Sequence, residues 1–313
     1  MTSSTRPFRF GVQANGSLSG RAWTELARRA EGLGYSTLTM PDHFDDQLAP
    51  VPALTAAAAV TESLRIGALV WDNDYKHPLV LAKELATMDV LSEGRVEIGL
   101  GAGWMIADYE QSGIPYDSAK IRIDRFVEGL AVIKGLMGPG TFSFAGDHYR
   151  ITEHNGLPKP VQSPCPPILI GGGGKRVLSI AAREADIVGI NATMSAGVIG
   201  ASVFDTMTAA MVDEKVDIVR QAAGARWSDI EMNIRAFLVN VTDDAKSAAE
   251  GIASMLGVTA AQVDDTPFAL VGPTSKLIDD LIARRERWGF SYVIVGMNDV
   301  DAFAPVVAAL NGR

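Results

Sequence analysis

Short apolar runs, each ended by glycine, proline or a polar cluster and followed by a stretch with helical spacing, recur along the chain, and this alternation limits the fold more than any other feature. Residues 9–13 (RFGVQ) read as a first strand, and residues 22–33 as a helix stopping at Gly34, a residue suited to closing it. Residues 36–40 (STLTM) are a β-rich run stopped by Pro41, and an Ala-rich helix is expected over 52–62. A strand over 65–71 precedes a helix over 77–91, where Leu79, Val80, Ala82, Leu85, Ala86 and Met88 recur at helical spacing and Pro78 suits the first turn. Residues 95–100 (RVEIGL) make a fourth strand.

After a helix over 121–137 the rhythm breaks. Residues 141–144 and 148–151 flank Ala145, Gly146 and Asp147, a hairpin turn signal, so about 138–165 reads as an insertion. The alternation resumes with strands over 168–170, 187–190, 230–241 and 292–295 and helices over 176–185, 204–223, 244–256 and 274–288. Eight apolar strands alternating with helices is the arithmetic of an α/β fold, a parallel (β/α)8 TIM barrel occupying residues 1–313 as one domain. An open doubly wound sheet satisfies the same pattern, and both folds place ligands at the carboxyl ends of the strands.

Composition narrows the function. A net charge of −9 without a block of Lys and Arg argues against nucleic acid and anionic membranes, leaving a small molecule as the expected partner. Cys165 is the sole cysteine, so neither a disulfide framework nor a Cys-rich metal site is available. The N-terminus lacks an apolar signal core, and the longest weakly polar run, 51–60, is far short of the roughly 20 residues a membrane span needs; a cytoplasmic enzyme is expected.

Polar, glycine-rich and aromatic residues follow the strands and would share one rim: Pro41 to Gln47 after the second, Asp72 to His77 after the third, Gly99 to Trp104 after the fourth, Gly171 to Arg176 after the fifth and Asn191 after the sixth. Four consecutive glycines before a helix let backbone N–H groups converge at a partly positive helix end, which suits phosphate, with Lys175 and Arg176 adding charge. GLGAG at 99–103 lacks the third glycine and the acidic residue of a Rossmann fingerprint.

RFGVQ at 9–13, AEGLGYSTLTMPDHF at 30–44, RIGALVWDNDYKHPLVLAKELATMDVLSEGRVEIGLGAGW at 65–104 and PPILIGGGGKRVLSIAAREADIVGI at 166–190 together resemble the luciferase-like flavin and deazaflavin oxidoreductases, more narrowly those using coenzyme F420, over nearly the full length. The resemblance implies a (β/α)8 barrel, a helical insertion at about 243–266, a homodimer, and F420 as cofactor, with FMN the alternative. It also implies that the tricyclic ring lies at the strand ends against a bent terminus of strand three, often carrying a non-proline cis peptide, here within Leu69, Val70, Trp71 and Asp72. Asp42, Val70, Trp71, Asp72, Asn73, Gly101, Ala102, Gly103, Trp104, Gly171, Gly172, Gly173, Gly174, Lys175, Arg176 and Asn191 are the implied cofactor contacts, and His43 takes the position of an active-site histidine able to trade a proton while a hydride moves. Trp104 and Gln47 depart from the sugar-phosphate dehydrogenase subgroup, which has an acidic residue and a tryptophan there; Trp104 would wall a less polar substrate.

Three activities fit: an F420-dependent hydride transfer, an FMN-dependent monooxygenation using reduced flavin and oxygen, and a non-catalytic binder of either cofactor. His77 is expected to open a helix, and His148 and His154 lack partners for a metal site. Arg122 and Arg125 are expected to pair with acids such as Glu128, Arg284, Arg285 and Arg287 to form a solvated helix face, and segment 191–204 to act with the hairpin as a substrate lid.

Overall fold

The computed structural model describes residues 6–194, 197–198 and 201–313. Its strands are β1 (Arg9–Gln13), β2 (Thr37–Met40), β3 (Arg65–Ala68), β4 (Trp71–Asp72), β5 (Val96–Gly101), β6 (Phe142–Ala145), β7 (Arg150–His154), β8 (Ile168–Gly172), β9 (Ile187–Ile190), β10 (Glu231–Arg235), β11 (Leu238–Val241), β12 (Ala269–Gly272) and β13 (Phe290–Gly296). The helices are α1 (Gly20–Gly32), α2 (Pro50–Ala58), α3 (Pro78–Leu91), α4 (Ile106–Ser112), α5 (Ala119–Met137), α6 (Lys175–Glu184), α7 (Ala201–Phe204), α8 (Ala209–Ala223), α9 (Ala245–Leu256), α10 (Ala260–Asp265), α11 (Thr274–Trp288) and α12 (Val300–Leu310).

Parallel pairing runs β3-β2-β1-β13-β10-β9-β8-β5, and β3 pairs with β5 through Ile66 with Val96 and Gly67 with Glu97, closing the barrel. The barrel expected from the alternation is therefore the fold, and the open sheet is excluded. Every residue of β2, β5 and β9 is buried, as strands covered by helices outside and filled inside must be. Helix starts obey local chemistry: Ser19, Ser118, Thr208 and Asp244 each accept a first-turn N–H, and Thr259 with Gln262 forms a full capping box.

The inside of the barrel is graded along its axis. At the amino-terminal end Arg9 pairs with Glu97 (2.7 Å) and Glu231 (2.6 Å), Arg65 pairs with Glu97 (2.7 Å), and the Arg9 guanidinium lies 3.6 Å above the Tyr292 ring. A cavity of about 390 Å³ opens at that end. Above it Leu169, Ile187, Tyr292 and Ile294 form an apolar plug that meets Leu69 and Val70. The plug leaves the carboxyl-end mouth as the working face.

Several expectations change. The run 230–241 is two strands: Ala236 still bonds β13 through Ile294 O (2.8 Å), whereas Phe237 bonds Phe268 O (2.9 Å) and β11 leaves the barrel to pair with β12. Apolar content continues through the break, so hydrophobicity alone could not show the change of partner. β6 and β7 form the antiparallel hairpin, and Glu128 accepts the N–H groups of Asp147 (2.8 Å), His148 (2.9 Å) and Tyr149 (3.1 Å) at its turn, so it is not a partner of Arg122 or Arg125. Arg284 is not a solvated side chain: it donates to Pro267 O (2.9 Å) and Ala269 O (2.8 Å) and ties α11 to β12. Part of the lid segment, residues 195–196 and 199–200, lies outside the described residues. Among the described residues no helix is long and apolar enough to cross a membrane, and no group of three His, Cys, Asp or Glu is placed to hold a metal.

Candidate active site

The floor of the mouth is made where β3 ends. The Leu69–Val70 peptide is cis, and Val70 sits against the glycines of β5: a Cβ at Gly101 would lie 2.5 Å from Val70 Cγ2, and one at Gly99 3.4 Å from Cγ1. Gln13 Nε2 donates to Leu69 O at 3.0 Å, while Gln13 Oε1 accepts from Arg235 Nε. A polar bridge thus crosses the mouth from β10 through β1 to the bend. Burial pulls the Arg235 guanidinium down to about 10. Sequence reasoning places neither Gln13 nor Arg235 in the site, because each is one polar residue at the end of an apolar run.

His43 follows β2 and is held from α4. Its Nδ1 lies 2.6 Å from Asp108 Oδ2, a carboxylate only 5% exposed that also accepts Tyr75 OH (2.9 Å) and Phe44 N (3.3 Å). A carboxylate only accepts, so the neutral ring carries its proton on Nδ1 and leaves Nε2 as the free lone pair. The Trp104 ring meets His43 edge-on at 5.8 Å, one wall of the same space. Sequence reasoning missed Asp108 because the helix that presents it spans only seven residues, too short for a periodic signal.

Behind His43 lies a knot of acids. Asp72 is 7% exposed; its Oδ1 accepts Asp74 N (2.9 Å) and its Oδ2 accepts Tyr109 OH (3.1 Å). Burial, reinforced by the Asp74 charge, pushes its carboxyl up to about 7. Burial likewise raises Asp42, whose Oδ2 accepts Asp72 N (3.3 Å), and holds the Tyr75 and Tyr109 phenols above the usual range. Asp74 is neutralised by Arg125 at 3.0 Å, which also pairs with Asp117. Gly103 has φ +74° and a Cβ there would fall 1.7 Å from Tyr109 OH, so only glycine fits.

The glycine loop after β8 is shaped by close approach, with no left-handed residue among Gly171, Gly172, Gly173 and Gly174. A Cβ on Gly173 would stand 2.2 Å from Ala192 O, and Thr193 Oγ1 donates to Gly173 O (3.1 Å) while Asn191 N donates to Gly172 O (2.9 Å). The loops after β8 and β9 are stitched together. Gly174 precedes α6 with no side-chain cap, a Cβ there would meet nothing within 4 Å, and among the described residues the first-turn N–H groups have no hydrogen-bond acceptor.

The expected contacts divide. His43, Asp42, Val70, Ala102, Gly103, Trp104, Asn191 and the four glycines line the rim with partial exposure, and Gly101 lies buried beneath Val70. Trp71 is 1% exposed and Asn73 2% exposed; Asn73 Nδ2 reaches Tyr149 OH (3.2 Å) and its Oδ1 fills the place of a Cβ on Gly129, so both side chains belong to packing. Asp72 likewise faces Tyr109 and Asp74. Arg176 is bound to Asp124 and to Lys120 O (3.3 Å) on α5 and turns from the loop, whereas Lys175 is exposed beside it. His77 accepts Leu79 N (3.2 Å) at the start of α3, as expected.

The family model of luciferase-like monooxygenases matches residues 4–289. The chain belongs to the luciferase-like monooxygenase family. Within that family it is 27% identical over 246 residues to an FMNH2-dependent dimethylsulfone monooxygenase of Pseudomonas putida, covering 77% of this chain and 62% of that protein. It is 31% identical over 174 residues to an F420-dependent glucose-6-phosphate dehydrogenase of Amycolatopsis mediterranei, covering 53% of this chain and 52% of that one. The chain thus spans between half and two thirds of these curated relatives. Among solved structures, the coenzyme F420-dependent tetrahydromethanopterin reductase of Methanopyrus kandleri superposes with a TM-score of 0.77 at 18% identity, covering 97% of this chain and 100% of that one, a likeness of fold. Its curated relatives thus include both an FMNH2-dependent monooxygenase and an F420-dependent dehydrogenase.

Proposed function

We propose that this luciferase-like protein is an F420-dependent oxidoreductase that moves a hydride between the deazaflavin and a small organic substrate, with His43 carrying the accompanying proton. The observation that carries the reading is the 2.6 Å contact between His43 Nδ1 and Asp108 Oδ2, which fixes the imidazole beside the Trp104 ring and leaves Nε2 without a hydrogen-bond partner among the described residues. The residues present fit the cofactor: Val70 over its glycines offers a flat apolar support, and the uncapped start of α6 at Gly174 offers N–H groups to an anion. Bound there, the deazaflavin supplies the carbon that gives or takes the hydride. Leu69 and Val70 support one ring face, the glycine-loop amides hold the phosphate-bearing tail, and Trp104 excludes water beside His43. His43 Nε2 accepts a proton from an alcohol or, when protonated, gives one to a carbonyl or alkene, while Asp108 stabilises the charged ring.

The second reading is an FMNH2-dependent monooxygenase, favoured by the 246-residue match to the dimethylsulfone enzyme and by the apolar Trp104 wall. Titrating the protein with F420 and with FMN, followed by fluorescence quenching, separates the two. Micromolar binding of F420 with weak FMN binding supports the first, and the reverse overturns it.

A further inference from the structure

Lys215 is 2% exposed on α8, and its ammonium donates to two carbonyls, Asn191 O at 2.8 Å and Thr206 O at 2.6 Å. Among the described residues no carboxylate lies within ion-pair distance; the acid it senses is the neighbouring Glu214, and burial pulls the amine down to about 8. An ammonium shut away from water without an anion is costly, and carbonyl dipoles offset only part of that cost. The position of its two acceptors is informative. Asn191 O also lies 2.8 Å from where a Cβ of Gly173 would be, so the lysine stands one carbonyl behind the glycine loop. Thr206 closes the other side, since its Oγ1 accepts Thr193 N (3.0 Å) and Thr193 Oγ1 holds Gly173 O (3.1 Å).

We propose that Lys215 is the positioning residue and buried counter-charge of an anion cradle formed by the loops after β8 and β9, with a phosphate ester as its ligand. This rests on the reading of the glycine loop as the site of the cofactor's anion. The lysine fastens the Asn191 and Thr206 carbonyls from beneath, which keeps Gly173 and the open amides of α6 in place. Its charge adds to the positive end of α6, so the cradle attracts an anion although Arg176 is engaged on α5 and the acids occupy the neighbouring arc of the rim.

FMN and riboflavin differ only by the phosphate and therefore read the cradle apart from the ring. Fluorescence titration should show the wild type binding FMN at least tenfold more tightly than riboflavin. Lys215→Met should lose about tenfold in FMN affinity with riboflavin unchanged, and Lys215→Gln, which keeps two N–H donors without the charge, should lose most of the same preference. An unchanged FMN-to-riboflavin ratio in both variants, or equal weakening of the two ligands, overturns the proposal. If the wild type binds neither FMN nor riboflavin, F420 titration decides the cofactor reading separately, and inorganic phosphate then tests Lys215: phosphate should raise the Tm of the wild type and not of Lys215→Gln, and no rise in the wild type overturns the inference.

Discussion

Around the ends of β3 and β5 the mouth is built from side chains: His43 on Asp108, Tyr75 on the same carboxylate, and Asp42, Asp72 and Asp74 packed behind them with Arg125 as a counter-ion. On the adjoining arc of the barrel, around β8 and β9, it is built from backbone: Gly171 to Gly174, the carbonyl of Asn191 and the uncapped start of α6, with one lysine beneath. The two sides therefore differ in what they can do. Acids and an imidazole hold and move protons, and their negative field repels phosphate; fixed amide dipoles hold an anion without titrating. A ligand with a reactive ring and an anionic tail has one favourable orientation between them.

The comparison can be broken from either side. The largest effect is expected at His43: His43→Ala should cut turnover about a thousandfold, while cofactor affinity by fluorescence titration stays near wild type. Full turnover in that variant would remove the proton role from the side-chain rim.

Asp72 provides a pH test of the same rim. Its folded carboxyl, raised to about 7, stands above its unfolded value of roughly 3.9. The folded state thus binds the proton more tightly, and that stabilisation is complete below about pH 4 and lost as the pH rises through about 7. Relative to Asp72→Asn, wild-type stability in urea should fall by roughly 2–4 kcal/mol between pH 4 and pH 8; parallel curves for the two proteins would contradict the buried acid.

On the backbone rim, Gly173→Ala puts a methyl 2.2 Å from Ala192 O. It should cost about 1–3 kcal/mol in urea unfolding and weaken FMN more than riboflavin. Arg176→Gln should show the smallest change: its guanidinium belongs to an exposed bridge with Asp124, so FMN titration and thermal unfolding should match wild type.

Much of this was legible in advance, for a reason particular to the fold. Parallel strands covered on both faces must be short and apolar, so residues 9–13 and 187–190 announce themselves as β1 and β9, and the loops leaving the carboxyl ends of such strands must share one rim. The bend at Leu69–Val70 and the histidine at 43 came from longer matching segments. Less visible were the residues that act through partners distant in the chain. Asp108 is 65 positions from His43, and Arg235 is 222 from Gln13. Lys215 reads in sequence as one more charge on an amphipathic helix. Trp71 and Asn73 erred in the opposite direction: their position at a strand end suggested the rim, whereas packing against α5 and the hairpin claimed Asn73 and the core claimed Trp71.

The chain by itself determined an alternation of parallel strands and helices, with polar loops gathered at the strand carboxyl ends and a run of glycines before one helix, because periodicity and glycine spacing are local properties of the backbone. Tertiary structure alone decided which side chains meet on that rim: Asp108 with His43, Arg235 with Gln13, Lys215 with Asn191 and Arg176 with Asp124. The Arg235–Gln13 pairing depends on the closure of eight strands into a ring, which brings the two ends of the chain together, and the others depend on how neighbouring units pack; no window of sequence contains either.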